Sequence, residues 1–81
     1  MSKKDDLIDA VDALEGEDYE TAYKLFLRLA EQGNAEGQFK LGEMYRKGQG
    51  VPQDDKEAFK WYRLSAEQGF AGAQHHLDND A

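Results

Sequence analysis

Residues 18–42 read DYETAYKLFLRLAEQGNAEGQFKLG, and residues 54–78 read DDKEAFKWYRLSAEQGFAGAQHHLD. Laid over one another without a gap, ten of these 25 positions are identical: Asp18/Asp54, Ala22/Ala58, Lys24/Lys60, Ala30/Ala66, Glu31/Glu67, Gln32/Gln68, Gly33/Gly69, Ala35/Ala71, Gln38/Gln74 and Leu41/Leu77. Tyr23/Phe59 is a conservative eleventh. An internal period in the thirties, with alanines and aromatics at helical spacing, signals stacked helix pairs, because one pair cannot bury its own apolar face.

Working outward, the segment from about Lys4 to Glu15 places Leu7, Ile8, Val11 and Leu14 on one face, and Gly16 then suits a left-handed C-terminal cap. Asp18 is a good N-cap for a second helix, in which Ala22, Leu25, Phe26, Leu29 and Ala30 share a face until Gly33. A third helix from about Ala35 presents Gln38, Phe39, Leu41, Gly42 and Tyr45 on one side and Glu36, Lys40, Glu43 and Lys47 on the other, with Glu-to-Lys pairs at i, i+4. Gly48-Gln49-Gly50-Val51-Pro52 is a fixed turn, since its glycines permit positive φ and its proline stops a helix. Asp54 to Glu57 has the spacing of a capping box, and Ala58, Trp61, Tyr62, Ser65 and Ala66 line the buried side of a fourth helix ending at Gly69. A fifth is expected over about 71–79. No alternating strand pattern of useful length occurs, so the fold class is all-α.

The 81 residues form a single domain, 1–81, in which repeat 1 covers about 4–34, repeat 2 about 35–70 and a capping helix about 71–79. A domain of this size buries only about 60% of the surface its unfolded chain exposes, so its stability is modest. Truncating a buried Trp61 to alanine is expected to remove about 3–5 kcal/mol. With no cysteine there are neither disulfides nor thiolate metal sites. The opening Met1-Ser2-Lys3-Lys4-Asp5-Asp6 lacks the apolar run of a signal peptide, and a cytoplasmic location is the expectation. Seventeen acidic residues against ten basic give a net charge of −7, which repels phosphate backbones and anionic lipid, so neither nucleic acid nor membrane is an expected partner. Residues 1–36 carry ten acids and four bases, so an electrostatic recognition surface belongs to the first half.

The run Ala35-x-x-Gln38-Phe39-x-Leu41-Gly42-x-Met44-Tyr45-x-x-Gly48-x-Gly50-Val51-x-x-Asp54-x-x-x-Ala58-x-x-Trp61-Tyr62-x-x-Ser65-Ala66-x-x-Gly69 closely resembles the Sel-one-like repeat family, a relative of the tetratricopeptide repeat. The resemblance covers one complete repeat at 35–70, a half-repeat at 18–33 and the opening of another at Ala71-Gly72-Ala73-Gln74-x-x-Leu77. It departs from the pattern at Glu15-Gly16-Glu17, which lacks the Gly-x-Gly-Val turn, and at Asp78, which stands where Leu-Gly would continue it. The resemblance implies an α-α superhelix that serves as a curved scaffold for assembling proteins, with ligands on the concave side formed by the first helix of each pair.

Asp5, Asp9 and Asp12 share a face of the first helix, where like charges at i, i+4 weaken an isolated helix. They suit a basic peptide or partner patch, or they favour the helix dipole and keep the protein soluble. On the third helix Phe39, Glu43 and Arg46 border the side to which the resemblance assigns ligands, although Phe39 also fits a packing role. Tyr45, Trp61 and Tyr62 are expected in the core. His75 and His76 point about 100° apart on a helix and cannot share a metal as an i, i+4 pair does. Neither Ser2 nor Ser65 has a histidine and an acid spaced to activate it, and Gly48-x-Gly50 lacks the strand and lysine of a phosphate loop. The expectation is therefore a non-catalytic protein-interaction module without cofactor or metal, binding a peptide or helix. The alternative is a structural unit that forms a homodimer through exposed ends of the stack.

Overall fold

Helices begin in this chain where a short polar side chain can accept from the first free amides. In the computed structural model, which describes residues 3–74, α1 spans Lys3–Glu15, α2 Tyr19–Glu31, α3 Ala35–Lys47 and α4 Asp55–Glu67. Asp18 caps α2 by accepting from Thr21 N, and Asn34 caps α3 by accepting from Gly37 N at 2.7 Å. Asp54 caps α4 by accepting from Lys56 N and Glu57 N. The reciprocal arm of the expected capping box does not form. The Asp54 amide donates instead to Tyr45 O at 2.9 Å, and Glu57 pairs with Lys60 at 3.3 Å.

Three helices end in the paired closure in which a left-handed residue and its successor donate back to the last turn. Gly33 and Asn34 donate to Ala30 O and Leu29 O, and Gly69 and Phe70 donate to Ala66 O and Ser65 O. At the end of α1 the left-handed residue is Glu17, with φ 61°, and not Gly16 as expected. Glu17 N bonds Leu14 O and Asp18 N bonds Ala13 O, so the closure is the same with the glycine one position early.

Consecutive helices pack antiparallel, α1 on α2, α2 on α3 and α3 on α4. The fold is an all-α array of helix pairs. A fifth helical segment opens at residues 71–74, and the rest of the expected capping helix, with His75 and His76, lies outside the described residues. The core is a cluster of Ala10, Ala22, Phe26, Leu29, Ala30, Leu41, Met44 and Trp61, flanked by Leu7, Val11, Leu14, Tyr19, Tyr23 and Tyr45. Trp61 and Tyr62 are buried as expected, whereas Tyr45 is half-buried at the edge. Ile8, expected on the buried face of α1, is 51% exposed, and Ala10 takes the interior position. The buried side of α3 is likewise turned from the expected one, because Gly37 and Met44 are inside while Phe39 is half-buried.

The repeated residues acquire physical reasons. Gln38 Nε2 donates to Ala30 O at 3.2 Å, and Gln74 Nε2 donates to Ala66 O at the same distance. Each glutamine ties the start of one helix to a carbonyl in the last turn of the helix before it, where carbonyls lack the i+4 amide donor of the helix interior. Ser65, fully buried, donates through Oγ to Ala35 O at 2.7 Å and thereby anchors α3 to α4. The Gly-x-Gly-Val turn folds against the first repeat, where a Cβ on Gly50 would lie 2.6 Å from Tyr19 O.

Candidate interaction surface

On α3 the repeat pattern sends two stripes to two neighbours. Gly37 lies against Leu29 and Ala30, and Tyr45 meets Tyr23 edge-on, so the stripe Gly37-Leu41-Met44-Tyr45 faces α2. Gly42 lies against the Tyr62 ring and Ala58 O, which brings α4 close on the other side. The Tyr23 and Tyr45 hydroxyls share a hydrogen bond of 2.9 Å. Burial raises the Tyr45 hydroxyl far above its ordinary pKa, and the bond to Tyr23 adds to the rise.

The three α3 residues singled out from the sequence have different surroundings. Phe39 packs between Tyr62 and Phe70, with ring centroids 5.7 and 5.2 Å away, so most of its surface serves packing. Glu43 approaches Lys40 at 3.8 Å, an i, i+3 pair, and keeps part of its side chain exposed. Arg46 is exposed and donates from Nε to the Tyr62 hydroxyl at 3.3 Å. That bond holds a cation at the mouth of an open groove of about 480 Å³ lined by Arg46, Asp55, Ala58, Phe59 and Tyr62. Sequence reasoning missed the groove. Its signal was present, since Phe59 is an aromatic residue on the helix position that Tyr23 occupies in the first repeat, yet it is 43% exposed.

Asp9 and Asp12 are exposed on α1; the side chain of Asp5 lies outside what is described. Setting α1 against α3 helix for helix puts Asp5, Asp9 and Asp12 at the positions of Gly37, Leu41 and Met44. The same register pairs buried Asp6 with buried Gln38 and buried Ala10 with buried Gly42. The stripe that seats α3 on α2 is therefore acidic in α1.

Among the described residues no three His, Cys, Asp or Glu side chains are grouped to hold a metal ion, and no helix is long and apolar enough to cross a membrane.

The profile of the Sel1 repeat matches residues 13–34 and 35–70. An F-box protein of Arabidopsis thaliana is 45% identical over 58 residues, which cover 72% of this chain and 16% of that protein. The exopolysaccharide production negative regulator of Rhizobium leguminosarum bv. viciae is 44% identical over 50 residues, covering 62% of this chain and 19% of the relative. The crystal structure of a Sel1 repeat protein from Oxalobacter formigenes superposes with a TM-score of 0.70 at 46% identity, over 72% of this chain and 24% of that one. The chain thus spans less than a fifth of the length of these two curated relatives.

Proposed function

The chain belongs to the Sel1 repeat family, and from that premise we propose that it is a non-catalytic protein-interaction module that recognises a peptide or helix of a partner. The observation that carries this reading is the polar and aromatic surface of α3 and α4. Arg46 is held in place by Tyr62, Glu43 stands one helical turn away beside Lys40, and exposed Phe59 lies at the same groove. Aromatic and arginine side chains fixed by their neighbours lose little entropy on binding and are enriched where affinity concentrates. Asp5, Asp9 and Asp12 supply a second element, to which a basic partner patch would be steered. Residence in the cytoplasm is part of the same reading.

The test uses the purified chain as bait in extract of its source cell, beside light scattering for its mass. A protein retained by the wild type and lost by Glu43→Lys with Arg46→Glu, at unchanged melting temperature, supports the module. Retention that ignores these changes and those at Asp9 and Asp12 refutes the assigned surface. A stable dimer that retains nothing favours the second reading, a self-assembling structural unit, toward which exposed Phe59 also points.

A further inference from the structure

Laying α4 on α2 in the register of the repeat brings Lys56 to Glu20, Lys60 to Lys24, Arg63 to Leu27, Leu64 to Arg28 and Glu67 to Glu31. All of these except half-buried Leu27 are exposed, so this side of the helix faces solvent even in α2, which has α1 and α3 packed on it. The two faces differ in charge. On α2, Glu20 and Lys24 pair at 3.5 Å, and Arg28 and Glu31 complete a balanced surface. On α4 the same positions hold three cations, Lys56, Lys60 and Arg63, and one acid, Glu67, in a chain whose net charge is −7. Their spacing of i, i+4 and i+7 puts the cations on one stripe.

The carboxylates at the start of α4 leave most of this charge uncompensated. Asp54 caps the helix, Asp55 accepts from Gln53 Nε2, and Glu57 meets Lys60 at 3.3 Å. Lys56 and Arg63 meet no carboxylate among the described residues. Two of the cations are held over rings: Lys60 Nζ lies 4.7 Å from the Trp61 centroid and the Arg63 guanidinium 5.3 Å from that of Phe59. Leu64, 37% exposed, stands one turn beyond Lys60 and beside Arg63, where the first repeat has Arg28.

We propose that Lys56, Lys60, Arg63 and Leu64 form a docking face for an acidic amphipathic helix of a partner protein. Its carboxylates meet the three cations, and one large aliphatic side chain covers Leu64. Complementary charge names the occupant. Cations already held over rings lose little freedom when a carboxylate arrives, which concentrates affinity on Lys60 and Arg63. A second copy would bring its own charge of −7 to the contact, and that repulsion opposes self-association. The same overall charge repels nucleic acid and anionic lipid, whereas a short helix with a few carboxylates meets only the basic stripe. The proposal goes beyond the interaction reading above, since Glu43, Arg46 and the α1 aspartates take no part in it.

The probe is an alanine-based, side-chain-stapled peptide with glutamates at i, i+3 and i+7 and a leucine at i+4, stapled because short isolated helices are marginal in water. It is titrated into the full chain labelled with nitrogen-15. Saturable shifts centred on Lys56, Lys60, Arg63 and Leu64 are expected, with affinity falling as salt rises. Lys56→Glu combined with Arg63→Leu and Leu64→Arg gives α4 the face that α2 already carries, so the fold is expected to hold, as a melting curve checks. This variant weakens binding by about tenfold. Lys56→Glu alone, which recreates the Glu20–Lys24 pairing in the second repeat, gives a smaller loss and serves if the triple variant melts early. No saturable response up to millimolar peptide overturns the proposal, as does a response that these variants leave unchanged or that a peptide with lysines for glutamates reproduces. Shifts confined to the surroundings of Glu43 and Arg46 overturn this face while leaving the interaction reading standing. Tighter binding of phosphatidylglycerol vesicles or a DNA duplex, or self-association that the triple variant abolishes, overturns it by assigning the stripe to another occupant.

Discussion

Replacing Gly50 and Gly33 separately by alanine distinguishes backbone strain from contact between repeats. Both glycines are left-handed, with φ 78° and 88°, and both therefore impose a conformational penalty on an L side chain. At Gly33 nothing lies within 4 Å of the added Cβ, so strain acts alone. That strain, offset in part by the narrower unfolded ensemble of alanine, leaves a net loss of about 1 kcal/mol. At Gly50 the Cβ falls 2.6 Å from Tyr19 O and 3.0 Å from Tyr19 C, which are backbone atoms at the start of α2 and cannot swing aside. Overpacking of this kind adds about 1–3 kcal/mol. Gly50→Ala is thus expected to cost about 2–4 kcal/mol in all. For a domain of this size each kcal/mol lowers Tm by about 4–8 °C, so Gly50→Ala melts at least about 4 °C below Gly33→Ala. Urea titration and thermal scans of both variants give the difference directly. If the two fall within about 0.5 kcal/mol of one another, the turn does not press on Tyr19 and the coupling of the repeats through it is wrong.

Glu17→Gly places glycine at the one left-handed non-glycine position among the described residues and is expected to stabilise the domain by about 0.5–1 kcal/mol, read from the urea midpoint. Trp61→Ala, at a residue 9% exposed within the core cluster, is expected to cost about 3–5 kcal/mol, a large share of the roughly 5–15 kcal/mol that a domain possesses. Because the native state holds the Tyr45 proton above the ordinary tyrosine pKa of about 10, that residue's contribution is complete below pH 10 and declines as pH rises past it. Tyr45→Phe is expected to flatten the fall of the urea midpoint as pH rises above about 10, and an unchanged slope counts against the burial of this hydroxyl.

The helices and their order are legible in the sequence because they depend on local chemistry. Asp18, Asn34 and Asp54 accept from amides two or three residues away, and Gly33 and Gly69 close helices through bonds within one turn. The repeat was legible for a related reason. Gln38 with Ala30, and Gln74 with Ala66, make the same bond at the same spacing, and identical geometry demands identical residues. Which face of a helix turns inward was less certain, since several rotations satisfy the same periodicity. Leu7, Ile8, Val11 and Leu14 could all share a buried side of α1, yet only the neighbour α2 determines that Ala10 goes in and Ile8 stays out. The left-handed residue after α1 followed the closing hydrogen bonds to Glu17, against the preference of Gly16.

The surface divides along the same line. By itself the sequence determined that this is a stack of Sel1 repeats, that its first helix carries an acidic stripe and that Phe39, Glu43 and Arg46 belong to one helix. Tertiary structure decided that Phe39 is committed to Tyr62 and Phe70, that Arg46 is held by the Tyr62 hydroxyl, and that Phe59 stands exposed where its counterpart Tyr23 is covered. The reason is physical: spacing along a helix specifies which side chains share a face, but exposure is set by what packs on that face, and the helix that covers Tyr23 is distant from it in sequence.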